Sequence, residues 1–400
     1  TGANNTAVGS EALIANTTGT QNDAFGAFSL NSNTTGSYNV VAGTLAGFSI
    51  DGGNRNTLVG NSAGSGVTTG SDNTYIGRKA GNTTTTASNN TAIGKDALFT
   101  NSTGSYNTAV GSTALDHSTT ASENTAIGYA SLGANTTGAN NVAMGSGALD
   151  ANTTASGNTA IGTSALTTNT TGSELVALGF EALNDNTTGA SSTAAGYQAL
   201  HSNTTGEINT GFGHKCLLTN STGTANTAVG ASALRANTTA GANTAIGSRA
   251  GMDNTTGEIT AVGAQALTDN TTGVGNIAVG YQSLYKNTTG DGNTAVGNNY
   301  LGTIGAAMVS NTTGSQNCAY GAGALYANTT ASNNTGIGFK ALMSNTTGSG
   351  NSILGQRAAE SVTTGSDNVC IGREAGRDTT TGSNNLFLGK GAGLANAPNG

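Results

Sequence analysis

Charge, proline and tryptophan are nearly missing from this chain: of 400 residues only 8% are charged, Pro398 is the one proline, and tryptophan is absent. The net charge of −7 comes from 13 basic and 20 acidic groups with no block of either sign. That excludes the basic footprint that nucleic-acid backbones require. No apolar run approaches the roughly 20 residues that span a bilayer, and no basic start with an apolar core marks a signal peptide. An export signal or anchor is therefore expected outside these residues. Thr1 to Asn4 match the last four positions of a repeat, so the parent chain is expected to extend upstream. The histidines His117, His201 and His214 lack a repeated acidic or cysteine partner, Gly64-Ser65-Gly66 lacks the lysine of a phosphate loop, and the Gly-Gly-x-Gly-x-Asp calcium repeat is absent. No catalytic residue, metal or cofactor is expected, and the chain reads as a non-enzyme.

What is present is 63 glycines and one sentence of 17 residues repeated from Asn5 to the last copy at Asn385. It runs Asn-Thr-Ala-Val-Gly, two variable residues, Ala-Leu, two more, Asn-Thr-Thr-Gly and a final two. A fixed period of this kind is the signature of a solenoid. The expected fold is one all-β solenoid over residues 1–400, a parallel β-roll of about 23 coils, roughly 110 Å long at about 4.8 Å per coil. Two breaks in phase occur. The coil before Ile259 has 16 residues, and the coil from Asn293 carries seven extra within Gly302 to Ser310, expected as a loop whose Ala306, Ala307, Met308 and Val309 fold over their own coil. Pro398 replaces a turn threonine and marks an expected end of the roll near residues 396–400. Cys216, Cys318 and Cys370 fall in different coils, too far apart for disulfides, so free thiols are expected.

The copies form their own substitution table. Position five is glycine in all 23, among them Gly9, Gly94, Gly111, Gly128, Gly230 and Gly338. Either a positive φ or close approach of a neighbouring backbone would demand that. Position four is apolar throughout, as at Val8, Val59, Ile93, Val110, Ile127, Ile161, Val229, Ile246, Val296 and Ile337, and is assigned to the core together with the position-nine leucines such as Leu13 and Leu98. Position two alternates Thr with Val or Ile, and position three is usually Ala but also Leu58, Tyr75, Ile353 and Phe387. Apolar residues at consecutive positions mean a strand covered on both faces. One coil has one interior, so the other face is expected to pack on further copies of the chain. Where position nine loses its leucine, at Gly47, Gly64 and Ala359, position twelve turns apolar at Ile50, Val67 and Val362, as if both filled one space; Gly81, Gly251, Gly376 and Gly393 lack this partner, and their coils are expected to be thin or kinked. The asparagines at positions one and twelve are expected to form amide ladders. The density of Asn-x-Thr sequons favours a bacterial or viral source over a glycosylating secretory route.

The motifs Asn-Thr-Ala-Ile-Gly at residues 90–94 and 124–128 and Asn-Thr-Ala-Val-Gly at 107–111 and 226–230 resemble the Ser-Val-Ala-Ile-Gly repeats of trimeric autotransporter adhesin heads. They are similar also to repeats of bacterial and phage fibre proteins that carry an endosialidase-type intramolecular chaperone. The resemblance implies a left-handed parallel β-roll assembled as a homotrimer, extracellular or on a virion, that spaces or presents a binding tip and itself adheres to a cell-surface, polysaccharide or host ligand. The competing expectation is an ice-binding solenoid, because positions thirteen and fourteen are Thr in almost every coil, as at Thr17-Thr18, Thr136-Thr137 and Thr288-Thr289.

Overall fold

Each repeat places two β-branched residues around a small one, and this triplet forms a strand. The computed structural model describes residues 2–298 and 305–394, and among them every regular element is a β-strand. The chain comprises two compact units, Thr1–Gln198 and Ala199–Gly400. In the first, β1 (Thr6–Val8) to β12 (Thr193–Ala195) pair in sequence order, all parallel and one repeat apart. In the second, β13 (Thr210–Phe212) to β23 (Leu386–Leu388) do the same. Thr91 thus faces Thr108 and Ile93 faces Val110. Each unit is a β-solenoid, the expected fold class.

The path of one coil follows from its special residues. Gly128 adopts φ +138°, and a methyl there would lie 2.5 Å from the carbonyl oxygen of Gly145 one coil on. Gly9, Gly94, Gly111, Gly230 and Gly338 share the positive φ and the same close neighbour, so both reasons for an invariant glycine hold at once. Three further residues per coil are left-handed although most carry side chains, at positions seven, nine and seventeen: Asp96 at +56°, Leu98 at +52° and Tyr106 at +62°. Each conformation costs about 1–2 kcal/mol in isolation, and stacking holds it. Asp96 N–H donates to Arg78 O of the preceding coil, Leu98 N–H to Ala114 O of the next, and Tyr106 N–H to Ser88 O. The 16-residue coil omits its position seventeen: Glu258 O there accepts directly from Gly275 N–H, and β16 (Ile259–Val262) starts one residue early.

The interior is lined by positions three, eight and nine. Ala92, Ala97 and Leu98 are fully buried in one coil, Leu58 and Tyr75 in others. Leu13 is half-buried. The space behind a missing leucine is filled from several directions. A methyl at Gly47 would meet Ile50 Cδ1 at 3.2 Å, as the exchange of positions nine and twelve implies. The coils expected to be thin are instead plugged. The Tyr75 ring occupies the space at Gly81, Ile259 Cδ1 lies 2.6 Å from a methyl at Gly251, and Phe387 fills in at Gly376 and Gly393. A large neighbour at position one or three restores the volume that close packing requires.

The seven-residue insertion also differs from expectation. Gly305 O accepts from Gly323 N–H, Ala307 O from Leu284 N–H, and Ser310 N–H donates to Tyr326 O, so residues 305–310 occupy ordinary positions six to eleven. Ala306, Ala307 and Met308 are fully buried core, not loop. The extra residues are therefore 298–304, of which 299–304 lie outside the described residues, as does the expected end of the roll at 396–400.

Candidate interaction surfaces

The strand presents one face inward and one outward, and the position-four assignment to the core is corrected by which is which. Position three points in, with Ala109 and Ala126 fully buried, so positions two and four point out. Val8 is 58% exposed, Ile161 41% and Val59 37%. Ile93, Val229, Ile246 and Ile337 are exposed to a similar degree, whereas Val110, Ile127 and Val296 are half-buried. The interior is narrow because leucines from the opposite wall already reach across it. Opposite a position-nine leucine the inward site holds an alanine, whereas Leu58, Tyr75 and Ile353 occupy it where position nine is Gly64, Gly81 or Ala359. The larger side chains are therefore left as a rank on the outside, with the position-two threonines as a second rank beside it, in register from coil to coil.

The polar columns are structural ladders. Asn124 Oδ1 accepts from Asn141 N–H at 3.0 Å and from its Nδ2 at 3.2 Å, and Asn141 Oδ1 takes Asn158 N–H at 2.9 Å. At position twelve, Asn169 Nδ2 donates to Asn152 Oδ1 at 3.1 Å. Both asparagine columns also donate to the position-fifteen carbonyl, as Asn22 and Asn33 do to Gly36 O. Where an apolar residue interrupts position twelve, at Ile50 and Val362, the preceding Asn33 Oδ1 and Asn345 Oδ1 are left without a donor.

Two ladders escape the sequence reading. Position-thirteen hydroxyls donate to the next coil's position-thirteen carbonyl, as Thr136 Oγ1 does to Thr153 O at 3.0 Å. Position-sixteen side chains accept the preceding coil's amide, as Ser88 Oγ does from Ser71 N–H at 3.0 Å. Of the paired threonine ranks, position thirteen thus spends its hydroxyl hydrogen on the backbone, and position fourteen, at Thr18, Thr137 and Thr289, remains exposed.

The three cysteines are free. Cys216 replaces the inward alanine of position eight, and burial pushes its thiol up to about 12; Cys370 replaces that of position three, pushed up to about 11. Neither supplies a thiolate nucleophile. Cys318 points outward from β19 (Cys318–Tyr320). Among the described residues no three His, Cys, Asp or Glu side chains cluster as metal ligands, and no helix is long and apolar enough to cross a membrane. No family model matches the chain, and no curated protein does.

Proposed function

We propose that this chain is a non-enzymatic segment of an extracellular fibre or adhesin, on a cell surface or virion, in which the outer face of the strand ladder packs against the same face of two further copies. The observation that carries this reading is the exposed apolar rank at position four, which in 15 of the 23 strands presents Val, Ile, Leu or Phe at 37–61% exposure. Contiguous apolar surface of this kind marks an interaction site. Its coil-to-coil register makes it complementary to itself, since every copy presents the same ranks. The resemblance of the repeats to trimeric adhesin heads supports three copies, and the continuous backbone and side-chain ladders of each unit suit a load-bearing part that holds or presents a binding surface.

The test is the solution mass by light scattering. A mass three times 38.8 kDa is expected. A stable monomer overturns the reading and leaves the apolar rank open beside the position-two threonines, in which case an ice-recrystallisation assay examines water ordering by that face.

A further inference from the structure

Residues 1–198 contain only four Lys or Arg, and three of them, Arg78, Lys79 and Lys95, fall in two adjacent coils. Arg78, Lys79, Asp96, Phe99, Asp116 and His117 line a cavity of about 370 Å³ crossing three coils there, the size range of a small-molecule site.

The charges in this groove are unevenly matched. Asp96 takes Lys95 at 3.2 Å and Arg78 at 3.6 Å. Among the described residues Lys79 makes no ion pair; its ammonium stands 5.7 Å over the Phe99 ring, attracted by the ring's negative face. On the far side, His117 Nδ1 lies 2.9 Å from Asp116 Oδ1 and 3.0 Å from Gly133 O. Both are acceptors, so Nδ1 carries the proton. Thr100 Oγ1 donates to Asp116 O at 2.7 Å and ties the floor to the next coil.

We propose that this groove binds a carboxylated saccharide, with Lys79 taking the carboxylate and Asp96 and Asp116 accepting hydrogen bonds from ring hydroxyls. A cation with no carboxylate partner among the described residues, an aromatic ring and two carboxylates within one small cavity suit a guest that carries a single negative charge and several hydroxyl donors. A polyacidic peptide would meet repulsion from both aspartates, and a bare anion would bring no donor to their remaining lone pairs. The groove is built from positions six to eleven, the wall across the interior from the strand, so it is separate from the outer strand face and goes beyond the structural role proposed above.

The experiment is calorimetric titration of the intact chain with galacturonate and N-acetylneuraminate, alongside galactose, acetate, sulfate and triglutamate, for the native protein and for Lys79→Ser. Ser62 and Ser164 stand at the position of Lys79 in other coils with the same left-handed φ of +57°, so serine fits this turn, and an unchanged melting curve verifies it. An acidic sugar is expected to bind at least ten-fold more tightly than galactose or acetate, and Lys79→Ser to weaken it at least ten-fold without altering the mass in solution. The proposal is overturned if neither acidic sugar binds, if galactose binds equally well, if sulfate or triglutamate binds as tightly, or if Lys79→Ser changes nothing.

Discussion

Position five shows how one atom can be excluded twice. Gly128 needs φ +138°, and its missing methyl leaves room for the Gly145 carbonyl. Gly128→Ala is expected to cost about 3 kcal/mol, combining backbone strain with displacement of the neighbouring coil. Hydrogen exchange should show the loss as lowered amide protection concentrated in the coils starting at Asn124 and Asn141; unchanged protection there would contradict the close approach. The invariance of this glycine was readable from the column alone. The left-handed residues were not, although the table held their signal: glycine appears sporadically at position seven (Gly147), nine (Gly47, Gly81) and seventeen (Gly157, Gly275), each with positive φ. Most copies bear side chains there because hydrogen bonds between adjacent coils offset the strain, and that compensation hides the conformation from the sequence.

At the level of the coil, cohesion comes from ladders as much as from apolar contact. Asn141 receives Asn158 N–H and donates to Asn124 Oδ1 and Ala155 O, all buried. Asn141→Ala strands these partners and is expected to cost about 2–3 kcal/mol, the penalty of unmatched buried polar groups. Asn140→Ala, one residue away at the exposed position seventeen where Ala225 and Ala242 occur naturally, is expected to stay within about 0.5 kcal/mol. Denaturation midpoints of the two variants check the contrast, and equal values would remove the ladder's role. The asparagine ladders were legible because their columns scarcely vary. The threonine ladder at position thirteen was not legible, since a hydroxyl donating to a backbone carbonyl and one facing solvent leave the same column.

For the molecule as a whole, assembly turns on the outer strand face. Ile93→Lys combined with Ile127→Lys puts charge on that face and leaves the inward Ala92 and Ala126 untouched. If copies pack there, the mass is expected to fall from three times 38.8 kDa toward 38.8 kDa with the β-sheet circular dichroism retained, because burying unpaired ammonium groups is strongly unfavourable. A mass unaffected by the two lysines would place the contact elsewhere. The groove around Lys79 lies on the other wall and should bind its ligand equally in the variant.

The repeat by itself determined that the chain is an all-β solenoid, where its coils begin, which glycines admit no substitute, that the asparagines form ladders, and that both strand faces are apolar. It did so because identical coils stack only if each position recurs in one environment, so the columns report those environments directly. The parity of the strand was decided only in three dimensions. Size and apolarity marked Ile93 as core, yet Leu98 reaches in from the opposite wall and Ala92 takes the inward site, while in the coil of Val59, where position nine is Gly64, Leu58 takes it. The plugs followed the same rule: that Tyr75, Ile259 and Phe387 fill the spaces at Gly81, Gly251 and Gly376 depends on side chains meeting across the coil, and no column of a one-dimensional alignment contains that distance.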